Sequence, residues 1–119
     1  MRAIGMILAG GNNNRMQELS KRRAAAAMPM AGSYRAIDFA LSNMTHSHIK
    51  KVAVLTQFNS KSLNQHINSS KWWDFGRKQG GLYVLTPSLT SESSYWYRGT
   101  ADAIWQNIDF LKNSHEPYV

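Results

Sequence analysis

The sequence lacks cysteine, and its 119 residues contain few acidic side chains. The absence of cysteine excludes disulfides and thiolate metal sites, and it fits a reducing compartment. The apolar run at residues 4–9 ends in Gly10-Gly11 rather than in a signal-peptide cleavage site. No run approaches the ~20 apolar residues that a membrane span needs. The sequence therefore predicts a cytoplasmic protein that does not enter a membrane.

The shortage of acidic residues leaves a net charge of +7, from 14 Lys and Arg against 7 Asp and Glu. This excess favours an anionic partner. The cations occur in short groups, with no long basic helix, zinc-ligand spacing or RNA-binding aromatic motif. A nucleotide or sugar phosphate is therefore a better candidate than nucleic acid. A nucleic-acid-binding module remains an alternative, which predicts salt-dependent binding to random DNA.

Apolar periodicity predicts alternating strands and helices along the chain. Strands are expected at 2–9, 51–56 and 82–85, and helices at 20–27, 35–47, 60–67 and 100–112. A loop is expected at 88–95, and Tyr118-Val119 reads as the start of a fourth strand. The alternation predicts an α/β fold with a mostly parallel sheet and flanking helices. Because the pattern stops as a strand begins, we interpret residues 1–119 as a truncated N-terminal portion of a domain.

A glycine pair, Gly10-Gly11, follows the first strand, with Arg15 a few residues later. Glycines let the backbone approach a ligand, and an arginine can bind phosphate with two hydrogen bonds. The motif matches neither the dinucleotide-binding nor the P-loop pattern. On its own it is equally compatible with an ordinary strand-to-helix turn.

Several blocks taken together resemble the ADP-glucose pyrophosphorylase family of sugar nucleotidyltransferases. Leu8-Ala9-Gly10-Gly11 with Arg15 resembles the family's opening signature. The other matching blocks are Arg35 with Ile37-Asp38-Phe39 and Leu41-Ser42-Asn43, then Val54-Leu55-Thr56-Gln57, and Trp96-Tyr97-Arg98-Gly99-Thr100-Ala101-Asp102-Ala103 with Gln106-Asn107. The resemblance implies a Rossmann-like (GT-A-like) nucleotidyltransferase domain. Its continuation and a C-terminal β-helix domain would lie outside this chain.

The resemblance also implies roles for individual residues. Arg15 would hold the triphosphate as the catalytic arginine. The nucleotide would contact Leu8, Ala9, Gly10, Gly11, Arg15, Gln57, Gly81 and Tyr97. A basic effector site would involve Lys21, Arg22, Arg23 and Arg35, although a solvated charged face is the plainer interpretation. For Gln57 and Tyr97 the plainer interpretations are a loop-end amide and a half-buried aromatic ring.

The implied reaction joins ATP and glucose 1-phosphate into ADP-glucose and pyrophosphate for glycogen synthesis, with Mg²⁺. The family's metal-binding Asp lies in a block beyond Val119, so the chain alone is expected to be inactive and to hold no metal. The full-length protein would be a homotetramer or heterotetramer with a catalytic paralogue.

One departure from the family pattern concerns catalysis. Ala25 stands where catalytic members carry a Lys that neutralises phosphate charge. This favours a catalytically impaired, regulatory paralogue as one alternative. A nucleotidyltransferase with another base preference, for uridylyl or thymidylyl transfer, is a further one.

Overall fold

The computed structural model describes residues 2–10, 23–57, 60–69, 81–87 and 96–119. Their strands are β1 (Ile4–Leu8), β2 (Pro29–Met30), β3 (Tyr34–Arg35), β4 (Lys51–Leu55) and β5 (Gly81–Leu85). Their helices are a one-turn 3₁₀ helix (Ala25–Ala27), α1 (Ala36–His46), α2 (Lys61–Ser69), α3 (Thr100–Gln106) and α4 (Ile108–Ser114). No described helix is long and apolar enough to cross a membrane.

The main sheet is parallel and has the order β1-β4-β5. Leu8 is in register with Leu55, and Leu55 with Leu85, so the three carboxyl ends meet at one edge. On the other side of β1, Tyr118 forms a parallel bridge with Ala3, and its carbonyl accepts a 3.0 Å hydrogen bond from the Ile4 amide. Tyr118, where the sequence predicts that a fourth strand begins, thus lies beside β1 and forms an isolated bridge with it. The α/β fold class is confirmed.

Helices cover both faces of this sheet because its residues alternate between two apolar layers. Val52 and Val54 pack beneath α1 and α2, against a cluster that includes Ile37, Leu41 and Leu63. Ala53 and Leu55 point the other way, toward α3 and α4, where Ala103 is buried with them. A continuous apolar run is therefore what a strand with two covered faces requires.

The sequence prediction of a helix at 20–27 is wrong over its described part. Only Ala25–Ala27 is helical, as a single 3₁₀ turn, and Met28 is already extended. Proline disfavours the α conformation in the residue before it, and Pro29 starts the short antiparallel pair β2–β3. Ala24 and Ala27 are buried in the α1–α2 layer, so packing outweighs the helix propensity of the alanines.

The single helix predicted at 100–112 is in fact two helices. The break lies at Asn107, whose backbone (φ −108°, ψ 19°) ends α3 and precedes α4. Its side-chain amide donates a 2.8 Å hydrogen bond to the Ala103 carbonyl. Asparagine competes for backbone hydrogen bonds in this way, which makes it unfavourable inside a helix.

Asp38, in the first turn of α1, links this helix to Arg35 and to α2. It is 6% exposed, and it accepts a 2.8 Å hydrogen bond from the Arg35 amide. Its other oxygen lies 2.6 Å from Nε2 of His66 on α2. Asp38 is thus an acidic residue in the first turn of α1, where it also interacts favourably with the helix dipole. The pairing with His66 was not predicted.

Candidate functional site

The carboxyl edge of the sheet is where this topology favours a ligand site. From β1 the chain moves outward to β4 and β5, and then returns to the opposite side of β1 at Tyr118. In open α/β sheets, ligands bind outside the carboxyl ends of strands where the strand order reverses. That point lies at the end of β1, which leads directly into Ala9 and Gly10. Gly10, the described residue of the glycine pair, therefore lies at this edge.

Gly10 lies against the end of the neighbouring strand. The amide of Ala9 donates a 2.8 Å hydrogen bond to the Leu55 carbonyl, which extends the pairing of β1 with β4 by one residue. A Cβ atom at position 10 would be 3.2 Å from Cβ of Gln57 and 3.6 Å from its backbone nitrogen. This close approach of two backbones explains the glycine. Leu8, also predicted to contact nucleotide, ends β1 with 42% of its surface exposed.

Gln57 connects this turn to the segment that carries Tyr97. Its Oε1 accepts a 2.8 Å hydrogen bond from the Tyr97 backbone amide. The structure thus brings together three of the predicted nucleotide-binding residues: Gly10, Gln57 and Tyr97. The pairing also commits the amide oxygen of Gln57, so its NH₂ group is the end that could donate to a ligand.

Tyr97 is positioned from its other side by Asn107. The Asn107 side-chain amide donates a 3.0 Å hydrogen bond to the Tyr97 hydroxyl, while the ring packs partly buried against the cluster of Ala53, Leu55 and Ala103. The contact between Asn107 and Tyr97 was not predicted from the sequence. The signal that could have found it is an asparagine in the middle of a helical pattern.

Gly99 precedes α3 and has a backbone conformation, φ 153° and ψ −177°, that residues with a side chain rarely adopt. Nothing lies within 4 Å of a Cβ placed there, so the cost of a side chain would be conformational. We expect Gly99→Ala to lower the free energy of unfolding by about 1–3 kcal/mol, measured by urea denaturation. Asn113→Ala, at an exposed position of α4, serves as the control, with an expected change within about 0.5 kcal/mol. Equal stability of the two variants would contradict the assignment of strain to Gly99.

Gly81 is not brought to this site. It opens β5 at the amino edge, in register with Lys51, and its amide donates to the Lys50 carbonyl at 3.0 Å. At ~3.3 Å per residue, the length of β5 separates Gly81 from the carboxyl edge by about 13 Å. Gly81 therefore lies away from the candidate site at the carboxyl edge.

Other predicted site residues lie outside the described part of the chain. These are Gly11, Arg15, Lys21 and Arg22. Their roles remain predictions.

Two of the described cations that lie near the sheet and the 3₁₀ turn, Arg35 and Lys51, are engaged in the fold itself. The Arg35 guanidinium donates to the Ala27 carbonyl at 2.7 Å and to the Ser62 hydroxyl at 3.2 Å, joining the 3₁₀ turn to α2. Lys51 donates to the Ser114 carbonyl at 3.0 Å and lies 3.3 Å from Glu116. Arg23 is exposed. Part of the basic excess therefore has a structural use, and effector binding by Arg23 and Arg35 remains a prediction.

The described carboxylates do not form a set of metal ligands. Within the described ranges, no three His, Cys, Asp or Glu side chains are close enough together to hold one. Asp38 is occupied by Arg35 and His66, and Asp102 accepts hydrogen bonds from the Arg98 amide and the Gln106 side chain at 2.8 and 2.9 Å. The described residues by themselves do not fit a metal centre.

Comparison with known proteins gives consistent matches along the whole chain. A family model described as nucleotidyl transferase matches residues 4–119. The chain is 49% identical over 116 residues to a glucose-1-phosphate adenylyltransferase of Clostridium kluyveri, covering 98% of this chain and 30% of that protein. A protein of the same name from Thermosipho africanus is 45% identical over 116 residues, covering 98% of this chain and 28% of the relative. The chain thus spans about 30% of the length of these relatives.

Proposed function

Because this chain belongs to the nucleotidyl transferase family, we propose that it is the ATP-binding part of a glucose-1-phosphate adenylyltransferase. Such an enzyme would make ADP-glucose and pyrophosphate in the cytoplasm for glycogen synthesis. The names of the similar proteins support the substrates. The observation that carries the proposal is the contact of Gly10 with Gln57, and of Gln57 with Tyr97, at the carboxyl edge of the sheet.

In this proposal the backbone at Gly10 approaches the nucleotide, and the free NH₂ end of Gln57 faces an acceptor on it. A turn without side chains can present N–H groups to phosphate or to a base edge. Tyr97 borders the same space, held by Gln57 and by Asn107. The protein's contribution to the reaction would be positioning and charge stabilisation, which account for most of the catalysis of phosphoryl transfer.

Enzymes of this family generally use a divalent metal ion, and we propose Mg²⁺ for the complete protein. As the resemblance implies, its protein ligand would belong to sequence outside this chain; Asp38 and Asp102 are already paired within the fold. Arg15, as the sequence predicts, would add positive charge at the triphosphate.

Titration calorimetry with ATP, UTP and dTTP tests the proposal on the chain itself. We expect saturable binding with ATP as the tightest ligand, and no pyrophosphate release from ATP and glucose 1-phosphate by the isolated chain. A preference for UTP or dTTP would support the alternative of another base specificity. Binding of random duplex DNA that weakens steeply with salt, without nucleotide binding, would contradict the proposal in favour of a nucleic-acid module.

A regulatory role is the second candidate, favoured by Ala25. This residue opens the 3₁₀ turn, where it is partly buried, and its methyl group cannot neutralise phosphate charge. A regulatory subunit would bind ATP in the same way and pair with a catalytic paralogue in a tetramer. Turnover by a longer protein that carries this chain would separate the two roles.

A further inference from the structure

Thr56 carries a buried hydroxyl group that has no hydrogen-bond partner in the described part of the chain. The residue has 0% relative exposure, and among the described residues its Oγ1 is one of a few buried side-chain atoms without a hydrogen bond. A hydroxyl buried in this way is less stable than one that is hydrogen-bonded. The position therefore carries a cost to stability.

The neighbouring residues indicate that a side chain without a hydroxyl group would fit at this position. Thr56 continues the alternation of Val52 and Val54, both of which are fully buried in the α1–α2 layer. Its amide donates a 2.9 Å hydrogen bond to the Leu85 carbonyl, so the sheet extends through it. Valine has nearly the same shape as threonine and lacks the hydroxyl. Packing alone would thus favour a third valine.

The position of this hydroxyl links it to the proposed nucleotide site. Thr56 lies at the carboxyl edge of the central strand, between Leu55, which pairs with Leu8 and accepts from Ala9, and Gln57, which contacts Gly10 and Tyr97. Thr56 is therefore the direct chain neighbour of Gln57, which the proposed function places beside the nucleotide.

We propose that Thr56 is a positioning residue whose hydroxyl gains its hydrogen bond only in the nucleotide-bound state. This inference rests on the proposed function. The unpaired hydroxyl raises the free energy of the empty site, and the bond formed on binding removes that penalty. ATP affinity would therefore depend on the Thr56 hydroxyl, although this hydroxyl does not stabilise the chain without nucleotide.

Two variants separate this coupling from a purely structural role. Thr56→Val removes the hydroxyl and keeps the branched shape. We expect an equal or higher urea midpoint for it, together with about a tenfold loss of ATP affinity by calorimetry. Thr56→Ser keeps the hydroxyl and loses a buried methyl. It should lower the urea midpoint while retaining ATP affinity within about twofold of the parent chain.

Thr45→Val is the matched control. Its hydroxyl donates a 3.0 Å hydrogen bond to the Leu41 carbonyl near the end of α1, which leads into the amino end of β4. ATP affinity should not change in this variant. A lower urea midpoint with unchanged affinity for Thr56→Val would overturn the inference, since the hydroxyl would then have a structural partner. Failure of the parent chain to bind ATP would contradict the proposed function and the inference together, whereas equal affinities of parent and Thr56→Val would contradict the inference alone.

Discussion

Replacing Asp38 by alanine is expected to lower the free energy of unfolding by about 2–4 kcal/mol, measured by urea denaturation. The substitution removes the carboxylate that accepts from the Arg35 amide at 2.8 Å and lies 2.6 Å from His66 Nε2. Because Asp38 is buried, water replaces these hydrogen bonds poorly. The loss would release the start of α1 and its tie to α2 at once.

Asp109→Ala provides the control for that prediction. Asp109 also lies in the first turn of a helix, α4, but it is exposed. Only the interaction with the helix dipole is lost there, which costs about 0.3–1 kcal/mol. Asp38→Asn should lose less than Asp38→Ala, because an amide oxygen can still accept from Arg35, and it keeps the comparison measurable if the alanine variant does not fold. Equal losses for Asp38→Ala and Asp109→Ala would show that the buried pair contributes nothing.

Replacing Gly10 by valine is expected to lower ATP affinity roughly a hundredfold, or about 2.7 kcal/mol, in the same calorimetric titration. The first added carbon already lies 3.2 Å from Cβ of Gln57, and valine adds two methyl groups beyond it. The turn would have to move away from β4, which displaces the backbone proposed to approach the nucleotide. Overpacking should also cost about 1–3 kcal/mol of stability.

A comparison of Gly10→Ala with Gly5→Ala separates loss of binding from crowding in general. Both glycines lie along β1 or directly after it. A Cβ at Gly5 would meet Sδ of Met44 at 2.8 Å, but that atom is near the end of a flexible side chain that can move aside. We expect Gly10→Ala to weaken ATP binding and Gly5→Ala to leave it unchanged. If both variants bind ATP like the parent chain, Gly10 is not part of the nucleotide site.

Much of the scaffold was predictable because apolar periodicity records which faces are buried. The predicted helices at 35–47 and 60–67 correspond to α1 and α2, and their apolar residues Leu41, Leu63 and Ile67 are buried. The predictions at 20–27 and 100–112 were wrong for a common reason. Propensity and spacing do not register the packing of Ala24 and Ala27 or the hydrogen bonds of one asparagine.

The candidate site was predictable in composition but not in its connections. The resemblance suggested Gly10, Gln57 and Tyr97, yet the hydrogen bond from Tyr97 to Gln57 joins residues 40 positions apart. No local pattern encodes such a pairing. The same resemblance suggested Gly81, yet Gly81 lies at the amino edge of the sheet. A resemblance in sequence does not specify which edge of the sheet a residue occupies.

The break at Asn107 leaves α3 as a short helix that depends on tertiary contacts for its stability. Isolated helices shorter than about 12–15 residues are marginal in water, and α3 has only 7. Its persistence therefore depends on its attachments, namely the buried Ala103 and the Asn107–Tyr97 hydrogen bond. A molecule that binds beside Tyr97 adds its own binding free energy to those attachments, because any ligand specific to the folded form shifts the equilibrium toward it. Ligand binding beside Tyr97 and the folding of α3 are therefore thermodynamically coupled.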